Sequence, residues 1–311
     1  MRWPLLLTPV LVGMLAAPAG ARSRADFAEF AAQEARLVAV SHRLTTASAD
    51  WCPATMPQPG WLLEDRRRFG DDDWSDAQRV YGATGDGPFI AALVPGSAAE
   101  RAGLVRGTVI AAINGEPIET PSNDETIRID AVIVMLAALD PAAPLTVTDG
   151  AGRSYRLGAA PGCASAFRVE RKGAQAAANG VLVRLRFDLA RDVTDEAELA
   201  AVVAHELAHN ILRHRARLAA ASDGRSARLV RATELEADRL SVWLMADAGY
   251  DPAAAVRFWT RHKRPLIRAA THPPRKERIA AIEAEMTAMA SARAADPSAR
   301  PPLAVAPPPL E

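Results

Sequence analysis

The chain has 311 residues, of which 49% are hydrophobic, and its 37 basic and 37 acidic residues give a formal net charge of zero. This length allows about two domains, and the composition supplies enough apolar side chains to bury a core in each. A balanced charge provides no electrostatic attraction for nucleic acid or for an anionic membrane surface, so neither partner is predicted.

Residues 1–21 have the pattern of a secretory signal peptide. Arg2 supplies a short positive region, residues 5–17 are apolar, and the small residues of "APAGA" allow cleavage after Ala19 or after Ala21. The apolar stretch is too short for a mature membrane helix, and no later segment reaches about 18 uninterrupted apolar residues. We therefore predict an exported, periplasmic protein with no membrane span after cleavage. An uncleaved N-terminal anchor is the alternative.

Residues 22–52 are predicted to form an amphipathic helix. Apolar residues recur there at helical spacing with charged residues between them: Phe27, Phe30, Leu37, Val40 and Leu44. Cys52 and Cys163 are the two cysteines of the chain, and an oxidising compartment favours their pairing. We predict a disulfide between them. Closing so long a loop stabilises a fold by up to about 4 to 5 kcal/mol in the chain-entropy model.

Residues 79–160 resemble a PDZ domain, a small β-rich module. The resemblance rests on "VPGSAAERAGLVRGTVIAAINGEPI", residues 94–118, where short β-type runs alternate with glycine and proline, and on a helix predicted over residues 124–139. PDZ domains add an extended peptide to a sheet edge beside such a helix. The family's carboxylate-binding loop is expected just before Phe89, where "YGATGDGP" departs from the usual wording. The implied ligand is an extended or C-terminal peptide, and a module that only packs against its neighbour is the alternative.

The segment "AAVVAHELAHNILRH" carries the strongest chemical signal. Thr194 is a predicted N-cap, and the acidic residues that follow it complement the dipole of a starting helix. On such a helix His205 and His209 project from one face and can offer two imidazole nitrogens to one metal ion. Glu206 lies beside that pair. A bound zinc lowers the pKa of its water, and an adjacent carboxylate takes the water's proton, so the pattern predicts a hydrolytic zinc site.

A catalytic zinc needs a third protein ligand and an open fourth position. A third histidine six residues after the second is excluded because Arg215 occupies that place, and His214, one residue out of register, is interpreted as a solvated histidine at the end of a helix that runs past it. A following helix, "RATELEADRLSVWLMADAGYDP", supplies acidic residues instead. We predict Glu234 as the third ligand, Asp238 as the partner that orients a ligating imidazole, and Glu236 as a surface charge.

Together these motifs resemble the zinc metallopeptidases that include HtpX and the CAAX prenyl proteases, and more closely their soluble exported bacterial members. The resemblance covers residues 179–282 and rests on "TDEAELAAVVAHELAHNILRH", "ELEADRL", "AGYDP" and "THPPRKERIAAI" in this order. It implies that Glu234 is the third zinc ligand and that Asp238 is the aspartate of the family's E-x-x-x-D motif. The segment "NGVLVRLRFDLA", residues 179–190, stands where the family has the edge strand that receives substrate.

The resemblance also bears on His272, which lies on a bend fixed by Pro273 and Pro274 ahead of an amphipathic helix over residues 275–289. Soluble members of the family place a Thr-His-Pro segment close to the metal. The implication is a removable fourth ligand that keeps the site latent, and a loop histidine with no special partner is the alternative. The oxyanion-stabilising residue stays open among several side chains: His42, His262, Tyr250 and several arginines.

The predicted architecture is α+β. A mostly helical, gluzincin-type zinc metallopeptidase domain with a small sheet, residues 163–290, follows the PDZ-like domain, and residues 291–311 form a Pro-rich disordered tail. One Zn²⁺ per chain is expected, with protein or peptide substrates. The leading function is zinc-dependent endopeptidase activity on unfolded or misassembled cell-envelope proteins, with Glu206 activating a zinc-bound water. The alternatives are a chaperone-like or adaptor protein with a latent zinc site and a peptide-binding PDZ module, and a peptidase of small or lipidated substrates.

Overall fold

The structure is a computed structural model that describes residues 19–118, 124–222, 224, 226–262 and 273–310. Most of the predicted signal peptide, and His272, lie outside these residues. The helices are α1 (Ala19–Ala47), α2 (Asp71–Tyr81), α3 (Ala98–Arg101), α4 (Ile127–Ala137), α5 (Phe187–Asp192), α6 (Glu196–Ile211), α7 (His214–Ala220), α8 (Ala227–Asp247), α9 (Ala253–Arg261), α10 (Arg275–Ala295) and α11 (Pro302–Val305).

The strands are short: β1 (Thr55–Pro57), β2 (Trp61–Asp65), β3 (Pro88–Leu93), β4 (Ile110–Ile113), β5 (Glu116–Pro117), β6 (Leu145–Asp149), β7 (Ser154–Leu157), β8 (Pro161–Cys163), β9 (Ala166–Glu170), β10 (Ala176–Ala178) and β11 (Leu182–Arg186). Their sheets are small, with strand orders β1-β8, β2-β3, β5-β4-β6-β7 and β10-β11-β9. Long helices combined with small sheets confirm the predicted α+β class. None of the helices in the described ranges is long and apolar enough to cross a membrane.

Helix α1 joins the two halves of the molecule. The apolar residues that predicted it are all buried: Phe27, Phe30, Leu37, Val40 and Leu44. They pack against α2, β3 and β9 and against α6, the helix that carries the H-E-x-x-H motif. Because α1 contributes to one hydrophobic core that reaches from β3 to α6, the position of the PDZ-like part is tied to that of the helical part.

The PDZ-like part has a second, separate core in which Leu63 of β2 packs with Ile90 of β3, Ile110 of β4 and Val132 of α4. Strand β2 therefore belongs to this module although it precedes the predicted start at residue 79. It pairs antiparallel with β3 on one side and contacts α4 on the other. The groove beside the helix is thus formed by β2. The sequence predicted the carboxylate-binding loop just before Phe89, but the loop at the end of this groove precedes β2.

The small sheet of the helical part differs from its prediction. Strand β11 lies in the middle of its sheet, paired in parallel with β9 and antiparallel with β10. The prediction that residues 179–190 form an edge strand is therefore wrong, and the chain already turns into helix α5 at Phe187. The two edges of this sheet are β9 and β10, and β10 is the edge that lies against α6. Three small alanines form it, and they carry little β-propensity that a sequence pattern could reveal.

The H-E-x-x-H motif lies on α6, among the helices α8, α9 and α10. Helix α6 packs against α8 and α9, and α10 covers α8 and α9. The N-cap of α6 is Asp195 and not Thr194, since the Asp195 carboxylate accepts the backbone N–H of Glu198 at 2.9 Å. Helix α6 ends at Ile211 because Arg213 adopts a left-handed backbone with φ of 54°, and α7 starts directly afterwards. The predicted single helix that runs past His214 is wrong.

Cys52 and Cys163 form a disulfide with their Cα atoms 5.4 Å apart, next to the pairing of β1 with β8.

The C-terminal residues differ from the predicted disordered tail. Helix α10 extends to Ala295, Leu303 of α11 is buried in the main core, and the Pro308 carbonyl accepts a hydrogen bond from Arg217. The buried side chains of Pro301 and Leu303 thus attach the start of this Pro-rich segment to the fold.

Candidate active site

The three predicted ligand residues meet at one point between α6 and α8. His205 Nε2 and His209 Nε2 are 3.2 Å apart, one helical turn from each other on α6. From α8, Glu234 places Oε2 at 3.4 Å from His205 Nε2 and Oε1 at 3.5 Å from His209 Nε2. These side chains form a group whose donor atoms could hold one metal ion. Two imidazole nitrogens and a carboxylate thus converge on a common point.

Small residues lie next to the ligands on both helices. Ala204 and Ala208 flank the histidines on α6, Ala237 lies on α8, and all three are fully buried. Helices α6 and α8 pack against each other along this region, which brings Glu234 of α8 to the histidines of α6.

Glu206 lies beside the histidine pair in a small cavity of about 40 Å³. Ala176 of β10, Phe258 and Trp259 of α9 and Ile282 of α10 also line this cavity. Burial raises the pKa of Glu206 to about 7, and the negative charge of Glu234 adds to the effect while His205 and Arg278 oppose it. A carboxyl group with a pKa near 7 can both accept and release a proton near neutral pH, as a general acid-base group must.

Asp238 and Arg278 both contact the ring of His205. Asp238 Oδ1 lies 3.0 Å from His205 Nδ1. The guanidinium of Arg278 holds the same carboxylate with two hydrogen bonds of 2.6 Å, and its Nη2 lies 3.1 Å from His205 Nδ1 and 3.2 Å from His205 Nε2. Arg278 also stacks on Trp259, with 3.7 Å from its Cζ to the ring centroid. Arg278 was not predicted as a partner of His205, although it lies in the segment "THPPRKERIAAI".

The charges of the centre shift its pKa values in opposite directions. Burial and Arg278 disfavour protonation of His205, but hydrogen bonds with Asp238 and Glu234 outweigh them and raise its pKa to about 9. Burial opposes ionisation of Glu234, yet its contact with His205 holds the pKa of this carboxyl far below the usual range. Burial lowers the pKa of His209, and the positive charge of His205 lowers it further. The glutamate therefore stays ionised and the second histidine neutral.

Comparison with known proteins connects this geometry to a family. Residues 170–227 and 216–286 match peptidase family M48. These segments contain all the site residues described above: His205, Glu206, His209, Glu234, Asp238 and Arg278. The chain carries a peptidase family M48 domain. Residues 89–129 match the PDZ domain, so both resemblances drawn from the sequence are confirmed. The mitochondrial metalloendopeptidase OMA1 of Schizosaccharomyces pombe (strain 972 / ATCC 24843) is 36% identical, over 28% of this chain and 36% of the relative. The match thus spans about a third of that relative's length.

Two residues of the M48 domain are placed differently from their predictions. His214 is only 2% exposed and Glu236 only 7%, so neither is the solvated group that the sequence suggested. The break at Arg213 starts a new helix with His214, whose ring then turns inward and not toward solvent. Its Nε2 lies 3.1 Å from Glu236 Oε2, and Arg217 Nη1 donates to the same oxygen at 2.6 Å. Burial lowers the pKa of His214, while hydrogen bonds from His214 and Arg217 overcome burial and lower the pKa of Glu236.

The residues considered for oxyanion stabilisation lie in different places. His42 lines the groove of the PDZ domain, and the Tyr250 hydroxyl donates to Glu196 Oε1 at 3.0 Å. His262 stacks on Phe258 with ring centroids 4.1 Å apart, at the end of the helix that borders the M48 cavity. Among the arginines of the described ranges, Arg278 contacts the ligand histidine directly.

Proposed function

We propose that the chain is a zinc-dependent endopeptidase that hydrolyses peptide bonds in unfolded or misassembled cell-envelope proteins. The spacing of the donor atoms carries the proposal. Three atoms at about 2.05 Å from a tetrahedral zinc would lie about 3.3 Å from one another. His205 Nε2 and His209 Nε2 are 3.2 Å apart, and each lies 3.4 to 3.5 Å from a different oxygen of Glu234, so that one atom from each residue lies within 4.8 Å of the others before any ion draws them together. Two imidazoles and one carboxylate are also a ligand set typical of catalytic zinc, and one ion per chain would complete it.

In the proposed mechanism, the zinc held by His205, His209 and Glu234 would acidify a bound water and polarise the peptide carbonyl. Glu206 accepts the proton of the attacking water and delivers it to the leaving amide nitrogen. Burial among Phe258, Trp259 and Ile282 disfavours the charged form of Glu206 and so raises its pKa, which makes it a better proton acceptor. Asp238 accepts the Nδ1 hydrogen of His205 and so keeps the Nε2 lone pair directed at the ion.

The edge strand β10 supports an extended polypeptide as substrate. Within the described residues it pairs with β11 alone, so its other edge can add a substrate segment by main-chain hydrogen bonds. Ala176 of this strand lines the same cavity as His205 and Glu206, which would bring an added segment next to the candidate zinc. Such binding requires an unfolded stretch of chain, because a folded substrate has already paired its backbone groups.

The proposed role of the PDZ domain is to hold a second part of the same substrate or a partner. Its groove between β2 and α4 has a volume of about 60 Å³ and is lined by Leu62, Ile129, Val132 and Leu136. An apolar floor beside a strand edge suits an extended or C-terminal peptide with an apolar side chain. Ser41 and other residues of α1 close one side of this groove, and α1 also packs on α6.

We place the protein in the periplasm. The N-terminal pattern of residues 1–21 supports export, and the Cys52–Cys163 disulfide supports an oxidising compartment.

His272 is proposed as a removable ligand at the fourth zinc position. His272→Ala should then keep one zinc per chain and raise basal cleavage of an unfolded protein, whereas complete loss of activity would assign His272 to catalysis or folding.

Glu206→Gln tests the proposed activity against the alternative of an adaptor protein. The purified variant should retain one zinc per chain and the unchanged melting temperature, but should lose cleavage of casein by about 10² to 10⁴-fold, because the proton acceptor is gone. Glu283→Gln, which removes the same charge from an exposed position on α10, is the matched control and should cleave normally. Equal cleavage, or equal absence of cleavage, by the unchanged chain and Glu206→Gln would favour the adaptor. Capturing substrates with Glu206→Gln in cell envelopes would then identify what the enzyme cleaves.

A further inference from the structure

Behind His209 lies a row of buried polar side chains that leads away from the cavity. His209 Nδ1 is 2.7 Å from His214 Nδ1. His214 Nε2 is in turn 3.1 Å from Glu236 Oε2, and Arg217 holds both oxygens of Glu236 at 2.6 and 3.3 Å. Arg217 Nη2 also donates to the Pro308 carbonyl at 2.5 Å, so the row ends at the C-terminal segment.

His214, which contacts His209, and Glu236, which contacts His214, are almost inaccessible to water. His214 and Glu236 are 2% and 7% exposed, and the residues of the row come from two different helices, α7 and α8. Burying a charged carboxylate and an imidazole costs free energy unless each polar atom is satisfied. The arrangement satisfies both, since every hydrogen-bonding nitrogen of His214 has a partner and Glu236 is paired with an arginine.

The hydrogen-bond roles in this row follow from the carboxylate of Glu236 and from a neutral His214, since Arg217 already balances the charge of Glu236. The carboxylate of Glu236, paired with the permanently charged Arg217, can only accept, so His214 Nε2 must donate to it. A neutral imidazole that carries its hydrogen on Nε2 has a lone pair on Nδ1. His209 Nδ1 must therefore donate to His214 Nδ1, and the remaining lone pair of His209 is on Nε2. Nε2 is the atom that faces His205 and Glu234.

We propose that His214, held by Glu236 and Arg217, is a positioning residue that fixes the tautomer and ring orientation of His209 for metal binding. It would do for His209 what Asp238 does for His205. The proposal rests on the proposed zinc site, because it assigns to His214 a role in how tightly that site binds its ion. Loss of such an outer hydrogen-bonding partner lowers metal affinity by about 10 to 100-fold.

A pair of isosteric substitutions at His214 tests the hydrogen bond separately from the packing. The side chain of His214→Asn can place its amide oxygen where Nδ1 lies and accept from His209, whereas His214→Leu places a methyl group there. Zinc affinity is measured for the full chain by competition with a chromogenic chelator. We expect His214→Leu to bind zinc about 10 to 100-fold more weakly and His214→Asn to recover most of this loss.

A second pair of variants covers the case in which His214→Leu does not fold. Glu236→Gln keeps shape and size, but its amide can donate to His214 Nε2 and so permits the reversed hydrogen-bond direction. Glu285→Gln is the matched control, because Glu285 is likewise buried against α8 and paired with an arginine and an aromatic N–H, those of Arg239 and Trp243. Only Glu236→Gln should weaken zinc binding. ¹⁵N NMR of the zinc-loaded chain should show hydrogen on His209 Nδ1.

The outcomes separate this inference from the proposed function. If the unchanged chain binds no zinc, or if Glu234→Ala binds it as well as the unchanged chain, the zinc site itself is wrong. If zinc binds and Glu234→Ala loses it, but His214→Leu, His214→Asn and Glu236→Gln all bind like the unchanged chain, the zinc site stands and the positioning role of His214 is overturned. Equal weakening by the leucine and asparagine variants would also overturn it, since packing alone would then explain the loss.

Discussion

The candidate zinc site can be compared with another buried cluster of ionisable side chains, which lies between α1, β2 and α2. The second cluster consists of Glu34, Glu64, Arg68 and Tyr81, which are buried or nearly so. Its polar atoms face one another: Arg68 pairs with Glu64, and the Tyr81 hydroxyl donates to Glu34 Oε2 at 2.6 Å. At the zinc site, donor atoms from three side chains instead face one common point.

The comparison shows that burial and shifted pKa values do not by themselves mark a functional centre. Burial raises the pKa of Glu34 well above its usual value, and the nearby Glu64 adds to the shift. The pKa of Tyr81 is raised for the same reason. These shifts match those of Glu206 in kind, although among the described residues the donor atoms that converge on one point belong to His205, His209 and Glu234 and not to this cluster. Convergence is therefore the more informative property, and shifted pKa values are supporting evidence only.

The largest expected difference between the clusters is in metal binding. Glu234→Ala, His205→Ala or His209→Ala should each remove most of the zinc, because each eliminates one of three protein ligands. Glu64→Gln, a change in the other cluster, should leave one zinc per chain. Zinc content after dialysis, measured by atomic emission, checks both. Retention of zinc by Glu234→Ala would show that Glu234 is not a zinc ligand.

The second expected effect concerns stability alone. The Cys52–Cys163 disulfide closes a loop with a sequence separation of 111 residues, and neither cysteine belongs to either cluster. Replacing both cysteines by serine should lower the free energy of unfolding by about 2 to 5 kcal/mol, mainly because the unfolded chain gains freedom. Zinc affinity should not change. Urea denaturation and chelator competition measure the two quantities, and thiol labelling of the unreduced chain would show that the disulfide is absent.

The smallest expected effect is a pH-dependent one in the second cluster. Because the folded-state pKa of Glu34 is raised, its stabilising contribution is complete below the ordinary carboxyl value of 4.5 and is lost as the pH rises through the raised value. Glu34→Gln cannot ionise. It should therefore gain stability over the unchanged chain as the pH rises, by up to about 1 to 3 kcal/mol. Thermal unfolding at pH 5 and pH 8 measures the gain, and an equal effect at both values would refute the assignment.

The part of the site that depends on local spacing could be predicted from the sequence. His205 and His209 share a face because residues four apart do so on any helix, and Glu234 followed from a second helix together with the family resemblance. The two apolar patterns that predicted α1 and α4 were equally local. These features need no knowledge of how helices and strands pack against one another.

The surroundings of the site depend on packing and were misjudged. His214 and Glu236 became buried because the helix breaks at Arg213, a non-glycine residue with positive φ that no sequence signal marks. Arg278 reaches His205 from a helix 73 residues away in the chain. Strand β10 replaced the predicted edge strand because strand order is decided by pairing, and three alanines give no pattern from which to predict it.

X-ray absorption at the zinc edge, on the purified chain loaded with one equivalent of zinc, tests the central claim most directly. The account predicts scattering from two imidazoles, with nitrogen and oxygen ligands at about 2.0 to 2.2 Å, and the loss of this two-imidazole signal in both His205→Ala and His209→Ala. A spectrum without imidazole scattering, or one that neither substitution alters, would contradict the assignment of His205, His209 and Glu234 as the zinc ligands.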